Sequence, residues 1–238
     1  ILPCGVFKID SSAVGYTLRY DGSSNCGGRV LSGNIQVDVS PAGAKWSTAG
    51  TQITIHYQDY KIQFNANNEI LEFNGSLTVT NANGGLLNTL FTTNPITHII
   101  RGTLKVKFDN GAERNWRITK KRVWDVDGTD WATVTLEISA DSAGIAEKGV
   151  NRNGDSFETT IPTNFLFENC HPSGGFEGPY ILTHGKMIHA TQTASLEIEA
   201  GYKLQGTSSV TKVEDCDSEG FKLTLVTSAG TASSFQYY

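Results

Sequence analysis

The residues of this chain that could bind a charged ligand are densest between positions 101 and 128, in the segment RGTLKVKFDNGAERNWRITKKRVWDVDG. Its basic run consists of Lys120, Lys121 and Arg122. Such a run predicts either contact with phosphate or anionic lipid, or a charged edge strand that resists aggregation. The solvated edge strand is the favoured interpretation. Together with Trp116 and Trp124, the run forms a candidate ligand or partner surface.

The alternation of side chains assigns the first part of this segment to a β-hairpin. Apolar residues fall on even positions in 100–108 and again in 116–118, so residues that face each other must share parity. A three-residue loop at 109–111, with Gly111 left-handed, preserves that parity, whereas a two-residue loop breaks it. The predicted partners are Leu104 with Trp116 and Lys107 with Glu113. The first cations are therefore predicted on the polar face, one of them paired with a carboxylate.

Three aspartates near the end of the segment form a weak calcium candidate: Asp125, Asp127 and Asp130. Their carboxylates surround a glycine and could supply the oxygen ligands that calcium prefers. The spacing is not that of an EF-hand and the distal glutamate is missing, so a plain turn is favoured. The chain shows no nucleophile elbow, phosphate-binding loop or histidine-based zinc motif, and no catalytic residue or cofactor is predicted.

The composition of the chain limits the classes of partner that it is expected to bind. Only 18% of residues are charged, the net charge is -5 and there are 25 glycines. A balance rich in turn and strand formers is typical of an exported β protein. The negative net charge argues against general affinity for nucleic acid, and no stretch of about 20 apolar residues predicts a membrane span.

The cysteines favour export. Cys4, Cys26, Cys170 and Cys216 are well separated and form no zinc motif, so they suit two disulfides. Three pairings are available. Cys4 with Cys26 and Cys170 with Cys216 are favoured because each then joins strands close in sequence. An exported chain without a leader implies that a signal peptide has been removed.

Period-2 alternation predicts an all-β fold. In SGNIQVDVS, residues 32–40, apolar and polar side chains alternate, and the pattern recurs around residues 71–79, 132–139 and 196–203. In 51–64 the parity switches, which predicts a β-bulge near Gln58 and Asp59. One solvent-exposed face and one buried face indicate antiparallel pairing. The prediction is a single domain, 1–238, with about a dozen antiparallel strands in a large meander, a sandwich or a partly open barrel.

Several predicted strands begin with a glycine followed by an alternating run, and the irregular spacing of these glycines excludes a fixed repeat: Gly33, Gly75, Gly102 and Gly185. These glycines are predicted to allow bends or close backbone approach in a strongly curved sheet.

Five segments carry a resemblance to a known group: residues 26–35, FNGSLTVTN at 73–81, RGTLKVKFDNGAERNW at 101–116, and the segments around Cys170 and Cys216. In this order they resemble exported Bacteroidota lipoproteins that are β-rich and of unknown function. The resemblance implies a location at the cell surface or outside the cell, with the periplasmic face as an alternative. Asp141-Ser142-Ala143 is similar to the O-glycosylation signal of that phylum, which makes Ser142 a candidate modification site.

The function expected from these observations is non-enzymatic. The leading hypothesis is a structural or assembly subunit of a bacterial envelope or extracellular complex, whose partners are other envelope proteins or further copies of itself. The alternative is a surface module that binds glycan or lipid, because aromatic side chains on a sheet can stack on sugar rings.

Overall fold

The computed structural model describes residues 2–93, 95–140, 142–151, 153–170, 180–206 and 209–238. Within these ranges, fifteen strands form one antiparallel sheet. The strands are β1 (Val6–Ser11), β2 (Gly15–Asn25), β3 (Arg29–Ser40), β4 (Thr51–Phe64), β5 (Ile70–Asn81), β6 (Ile96–Phe108), β7 (Glu113–Asp125), β8 (Thr135–Ser139), β9 (Ile145–Val150), β10 (Ser156–Asn169), β11 (Tyr180–Thr191), β12 (Ala194–Gln205), β13 (Ser209–Lys212), β14 (Gly220–Thr227) and β15 (Gly230–Tyr237). Two short 3-10 helices cover Leu87–Thr89 and Trp131–Thr133.

The strands follow one another across the sheet almost in chain order. The path runs from β1 through β8, then through β10, β11, β12 and β14 to β15, while β13 pairs with β12 alone. This arrangement confirms the predicted all-β antiparallel fold, and of the three predicted architectures it is the meander. Within the described part of the chain, β1 and β15 each pair with one neighbour and form the two edges of the sheet.

The sheet is interrupted between β7 and β10, which share two partners. Residues 121–125 of β7 pair with β8, and residues 116–118 pair with β9. On the other side, β10 pairs with the same two short strands. Thr119 and Lys120 pair with neither, so the middle of β7 faces a gap between β8 and β9.

One face of the sheet is apolar across nearly its full width, as the alternation predicted. We call it the apolar face, and its opposite the polar face. Residues of the apolar face, placed by strand register, include Ile35, Val37, Ile55, Leu77, Val79, Ile100, Leu104, Val106, Ile118, Leu136, Ile198 and Leu223. Full burial is concentrated where the 3-10 helices cover this face, around Leu90, Ile96, Val126 and Val134. Elsewhere most of these side chains are half-buried.

Glycines bring neighbouring strands unusually close, as predicted for a curved sheet. A Cβ atom at Gly33, where φ is +92°, would lie 2.2 Å from the carbonyl oxygen of Asp59. At Gly149 of β9 it would lie 1.6 Å from the carbonyl oxygen of Asn115. Only glycine fits such backbone contacts.

The predicted bulge in β4 is confirmed. Tyr57 pairs with Gly75 and Tyr60 with Phe73, so two residues of β4 have no partner on β5, and Asp59 has a φ of 49°. The bulge returns Tyr60 to the apolar face, which explains the switch in parity.

Both predicted disulfides are present, Cys4–Cys26 and Cys170–Cys216. The first ties the start of the chain to the turn before β3, and the second ties the end of β10 to the loop before β14. Cross-links of this kind are compatible with an exported protein. Within the described ranges, no helix has the length and apolarity to cross a membrane.

Candidate functional site: an open sheet edge and a cationic groove

Strand β7, which carries the basic run, lies inside the sheet. It pairs with β6 without a register shift from Glu113 to Trp124 and with β8 and β9 on its other side. The predicted solvated edge is therefore wrong. The reason is topological, since β8 and β9 return along β7 and cover it. Because β7 has no bulge, Lys120 stays on the apolar face and Lys121 on the polar face.

The β6–β7 hairpin has the predicted register. Leu104 pairs with Trp116, Lys107 faces Glu113, and Gly111 has a φ of 81°. The ion pair differs from the prediction, because Lys105 rather than Lys107 reaches Glu113, with 2.7 Å between Nζ and Oε2. A diagonal contact of this kind lies within reach of a long side chain.

Two cations of β7 have partners on the apolar face. The guanidinium of Arg114 lies 4.7 Å from the ring centroid of Trp116 and 4.6 Å from that of Phe157. Burial lowers the pKa of Arg114. Lys120 donates to Oε1 of Glu147 over 2.5 Å, and both side chains are largely buried. These cations stabilise the packing between β7, β9 and β10.

The last two residues of the candidate surface also face the apolar side. Arg122 is exposed and lies opposite His98 of β6. Trp124 packs edge-on against Tyr180, with ring centroids 6.0 Å apart, and borders the buried cluster. The predicted surface is therefore divided: Arg122 and Trp124 lie apart from Lys121.

A cationic groove occupies the polar face where the sheet is interrupted. Three adjoining depressions of about 690, 30 and 400 Å³ all include Arg117 in their walls. The cations of the groove are Arg101, Arg117, Lys121 and Lys148, all exposed. Lys120 also lines the third depression. Among the described residues, Glu158 lines the first depression and Glu147 the second. Glu147 is already bound to Lys120.

The pairing of the strands sets the distances between the groove cations. Arg117 pairs directly with Lys148, and Arg101 pairs with Thr119, midway between Arg117 and Lys121. Four residues of strand separate Arg117 from Lys121 by about 13 Å. In the described part of the chain, no carboxylate lies within 4.0 Å of the charged nitrogens of Arg101, Arg117 or Lys121, so their charges face solvent.

Sequence reasoning placed Arg117 on the solvent side but did not assemble the groove. Alternation alone puts Arg117 and Lys121 on one face of β7. Lys148 lies about thirty residues further along the chain, and only the pairing of β9 with β7 brings it opposite Arg117.

Ser142 lies at the margin of this groove. It is exposed and lines the third depression together with Ala140 and Lys121. Its accessibility is consistent with a modification site, which stays a prediction. Asp141, which precedes it in the proposed glycosylation signal, lies outside the described residues.

The three candidate calcium ligands make local hydrogen bonds. Asp130 caps the short helix by accepting from the backbone N–H of Ala132 over 2.9 Å. Asp125 accepts from the N–H of Val126 over 2.7 Å. The N–H of Asp127 donates to Oγ1 of Thr133 over 3.0 Å. Over the described ranges, no three histidine, cysteine or acidic side chains gather as a metal site.

A separate ion network lies on β12 and β13, around Glu199. Lys212 reaches Glu199 over 2.9 Å, and the hydroxyl of Tyr202 donates to the same carboxylate over 2.8 Å. Partial burial acts to raise the pKa of Glu199, but these two hydrogen bonds outweigh it and the pKa is lowered. Burial and the bond to Glu199 raise the pKa of Tyr202 to about 12. The network holds β13 against β12.

The second candidate surface is the edge formed by β15. Its eight residues, GTASSFQY, contain no charge and no proline, and they pair with β14 without a register shift. Seven of the eight are exposed. Tyr238 fixes the end of this strand, since its N–H donates to the carbonyl of Glu219 over 3.1 Å and its ring packs near Phe221.

Comparisons of this chain with protein-family models, with curated proteins and with solved structures find no significant match.

Proposed function

We propose that this protein is a non-enzymatic, exported structural subunit of the cell envelope or of an extracellular complex, related to the Bacteroidota lipoproteins that its sequence resembles. Its copies join through the open edge of β15. The observation that carries the proposal is this long, regular and uncharged edge strand, whose outer backbone groups have no partner strand among the described residues.

Edge strands of proteins that stay monomeric carry features that prevent pairing, such as charge, proline or a bulge. β1, at the other edge, has such features. It has six residues, a register shift between Val6 and Lys8, and an ion pair of 2.7 Å between Lys8 and Asp10. β15 has none of them, which favours the addition of another strand at this edge.

The surroundings of β15 suit an incoming strand. A depression of about 420 Å³ lies beside it, lined in part by Leu204, Val210, Phe235 and Tyr237. An apolar side chain of an added strand would be buried there. Antiparallel pairing of two β15 strands would join two sheets about a two-fold axis, the commonest symmetry of homo-oligomers.

The test is the mass in solution of the unreduced protein, by size exclusion with light scattering over a range of concentrations. We expect twice the chain mass of 25.8 kDa, and the monomer mass for Ser233→Lys, because a charge on the edge opposes pairing. The matched control is Thr224→Lys. Thr224 pairs with Ser233 and shares a 3.1 Å hydrogen bond with it, but lies one strand inside the edge.

Both variants add one charge to the same face and lose the same hydrogen bond, so only their distance from the edge differs. The proposal is refuted by a wild-type protein that stays monomeric at every concentration. Equal dissociation of the two variants would also refute it, because the effect would then not depend on the edge.

A further inference from the structure

We propose that the cationic groove binds an acidic polysaccharide, through the carboxylate or sulfate groups carried on its sugar rings. This inference is independent of edge pairing, since β15 is an edge strand of the sheet and β7 lies in its middle. It assigns a ligand class to Arg101, Arg117, Lys121 and Lys148.

The first argument is that several groove cations have no acidic partner among the described residues. Elsewhere on the polar face, several lysines have acidic partners. Lys61 lies 3.3 Å from Glu72, and Lys186 lies 2.7 Å from Glu197. In a chain of net charge -5, the groove keeps several cations without such partners in its described surroundings. Guanidinium groups suit this task because they present several donors to a carboxylate or sulfate.

The second argument is the spacing of these charges. Arg117 and Lys148 face each other across one strand pair, whereas Lys121 stands about 13 Å further along β7. Neutral hydrogen-bonding side chains lie between and around them, namely Thr103, Thr119, Asn115 and Ser156. Separated charges with neutral polar groups between them match a chain of hydroxyl-rich rings that carries an acid group at intervals.

The third argument excludes two other polyanions. A nucleic acid presents closely spaced phosphates and requires a densely cationic surface on the protein, which the net charge of this chain does not provide. A membrane surface attracts basic segments flanked by apolar side chains that insert between lipids. Here the cations line a recess in the middle of a sheet face and not a projecting segment, and its walls combine Thr103, Thr119 and Asn115 with apolar side chains such as Trp116 and Phe157.

The depression itself results from the strand interruption. β8 and β9 leave a gap opposite Thr119 and Lys120, and Gly149 brings β9 close against β7. Lys120 turns to the apolar face and holds Glu147 there. This ion pair engages Glu147, one of the carboxylates in the walls of the groove, and leaves the polar-face cations available to a ligand.

The test is binding of the full chain to immobilised dextran sulfate and polygalacturonate, with neutral dextran and vesicles of phosphatidylglycerol and phosphatidylcholine as comparisons. We expect binding to the acidic polymers and none to neutral dextran. The variant Arg117→Gln plus Lys121→Gln should lose about tenfold or more in affinity, since it removes two cations that form charge-assisted hydrogen bonds with the polymer. The two acidic polymers distinguish sulfate from carboxylate as the preferred group.

The matched control is Lys105→Gln plus Lys107→Gln, which removes the same charge from the same face of the neighbouring strand, outside the groove. It should leave binding within about twofold of wild type, as expected for screened surface charges. A second groove variant, Thr103→Glu, places a carboxylate opposite Arg117 and should weaken binding without removing a cation. Equal melting temperatures show that the variants fold.

Equal loss in the groove variant and in the control would overturn the proposal, because binding would then follow net charge alone. Unchanged binding in both groove variants would also overturn it. Stronger binding to the anionic vesicles than to the polymers would assign the groove to lipid instead of polysaccharide.

Discussion

Strand β7 carries cations on both of its faces, and the two faces use them differently. On the apolar face, Arg114 is held between two aromatic rings and Lys120 is bound to Glu147. On the polar face, Arg117 and Lys121 point to solvent in a groove. Neighbouring residues of one strand thus have a structural role on one side and are available to a ligand on the other, because successive side chains point to opposite faces.

The largest effect on stability is expected where β9 closely approaches β7, beside the two aromatic partners of Arg114. Gly149 lies between Trp116 and Phe157, and a Cβ there would lie 1.6 Å from the carbonyl oxygen of Asn115. Gly149→Ala should therefore reduce the free energy of unfolding by about 3 kcal/mol or more, measured by urea denaturation.

The control for this change is Gly128→Ala, at a turn where a Cβ meets open space but φ is +66°. It should cost about 1–2 kcal/mol from backbone strain alone. Equal losses in the two variants would show that the close approach of β9 to β7 contributes nothing beyond backbone strain.

A smaller effect is expected for the ion pair of the apolar face. Glu147→Gln leaves the partly buried side chain of Lys120 without its counter-charge and should destabilise the protein by about 1–2 kcal/mol. Lys120→Met should cost at least as much, because it leaves the carboxylate of Glu147, the more buried partner, without its counter-charge. A double-mutant cycle of the two positions measures their coupling.

A substitution on the polar face serves as the comparison for the ion pair of the apolar face. Arg117→Gln should change the free energy of unfolding by less than about 0.5 kcal/mol, as is usual for exposed side chains. If it destabilises the protein as much as Glu147→Gln does, the two faces of β7 do not differ in the way proposed.

The smallest effect is a pKa change at His98, which faces Arg122 across the β6–β7 pair. Burial lowers the pKa of His98 below its usual 6.5, and the charge of Arg122 lowers it further. The unfolded chain therefore takes up the proton first. The stabilisation from neutral His98 is complete above about pH 6.5 and is lost as the pH falls from there through the folded-state pKa.

Arg122→Gln should raise the pKa of His98 part of the way to 6.5, since burial remains the larger cause. Titration of the ring protons by NMR measures the change. Lys121→Gln is the control, because Lys121 lies on the opposite face and should leave this pKa almost unchanged. An equal change in both variants would mean that His98 responds to net charge and not to the face on which the charge lies.

The fold could be predicted well because its signals are local. Alternation in segments such as 32–40 marks which side chains are buried, and parity around 109–111 determines the length of the hairpin loop. The switch in parity at Tyr57 and Tyr60 marks the bulge for the same reason. The separated cysteines favoured two short-range disulfides.

The candidate surfaces were less predictable because they depend on which strands become neighbours. The basic run of the sequence consists of Lys120, Lys121 and Arg122. In the fold, Lys120 forms an ion pair with Glu147, Lys121 lines the groove, and Arg122 lies opposite His98. The expectation of an edge strand was wrong because local pattern does not reveal that β8 and β9 return along β7.

The sequence by itself determined the class of the fold and the two faces of each strand, since these follow from residue type and spacing along the chain, and it favoured the observed pairs of cysteines among three possible pairings. Only the tertiary structure decided that β15 forms an open edge and that Lys148 stands opposite Arg117. The physical reason is that pairing between strands is a long-range choice. A half-buried strand has the same alternation at an edge as in the middle of a sheet, so its neighbours are set by the whole chain.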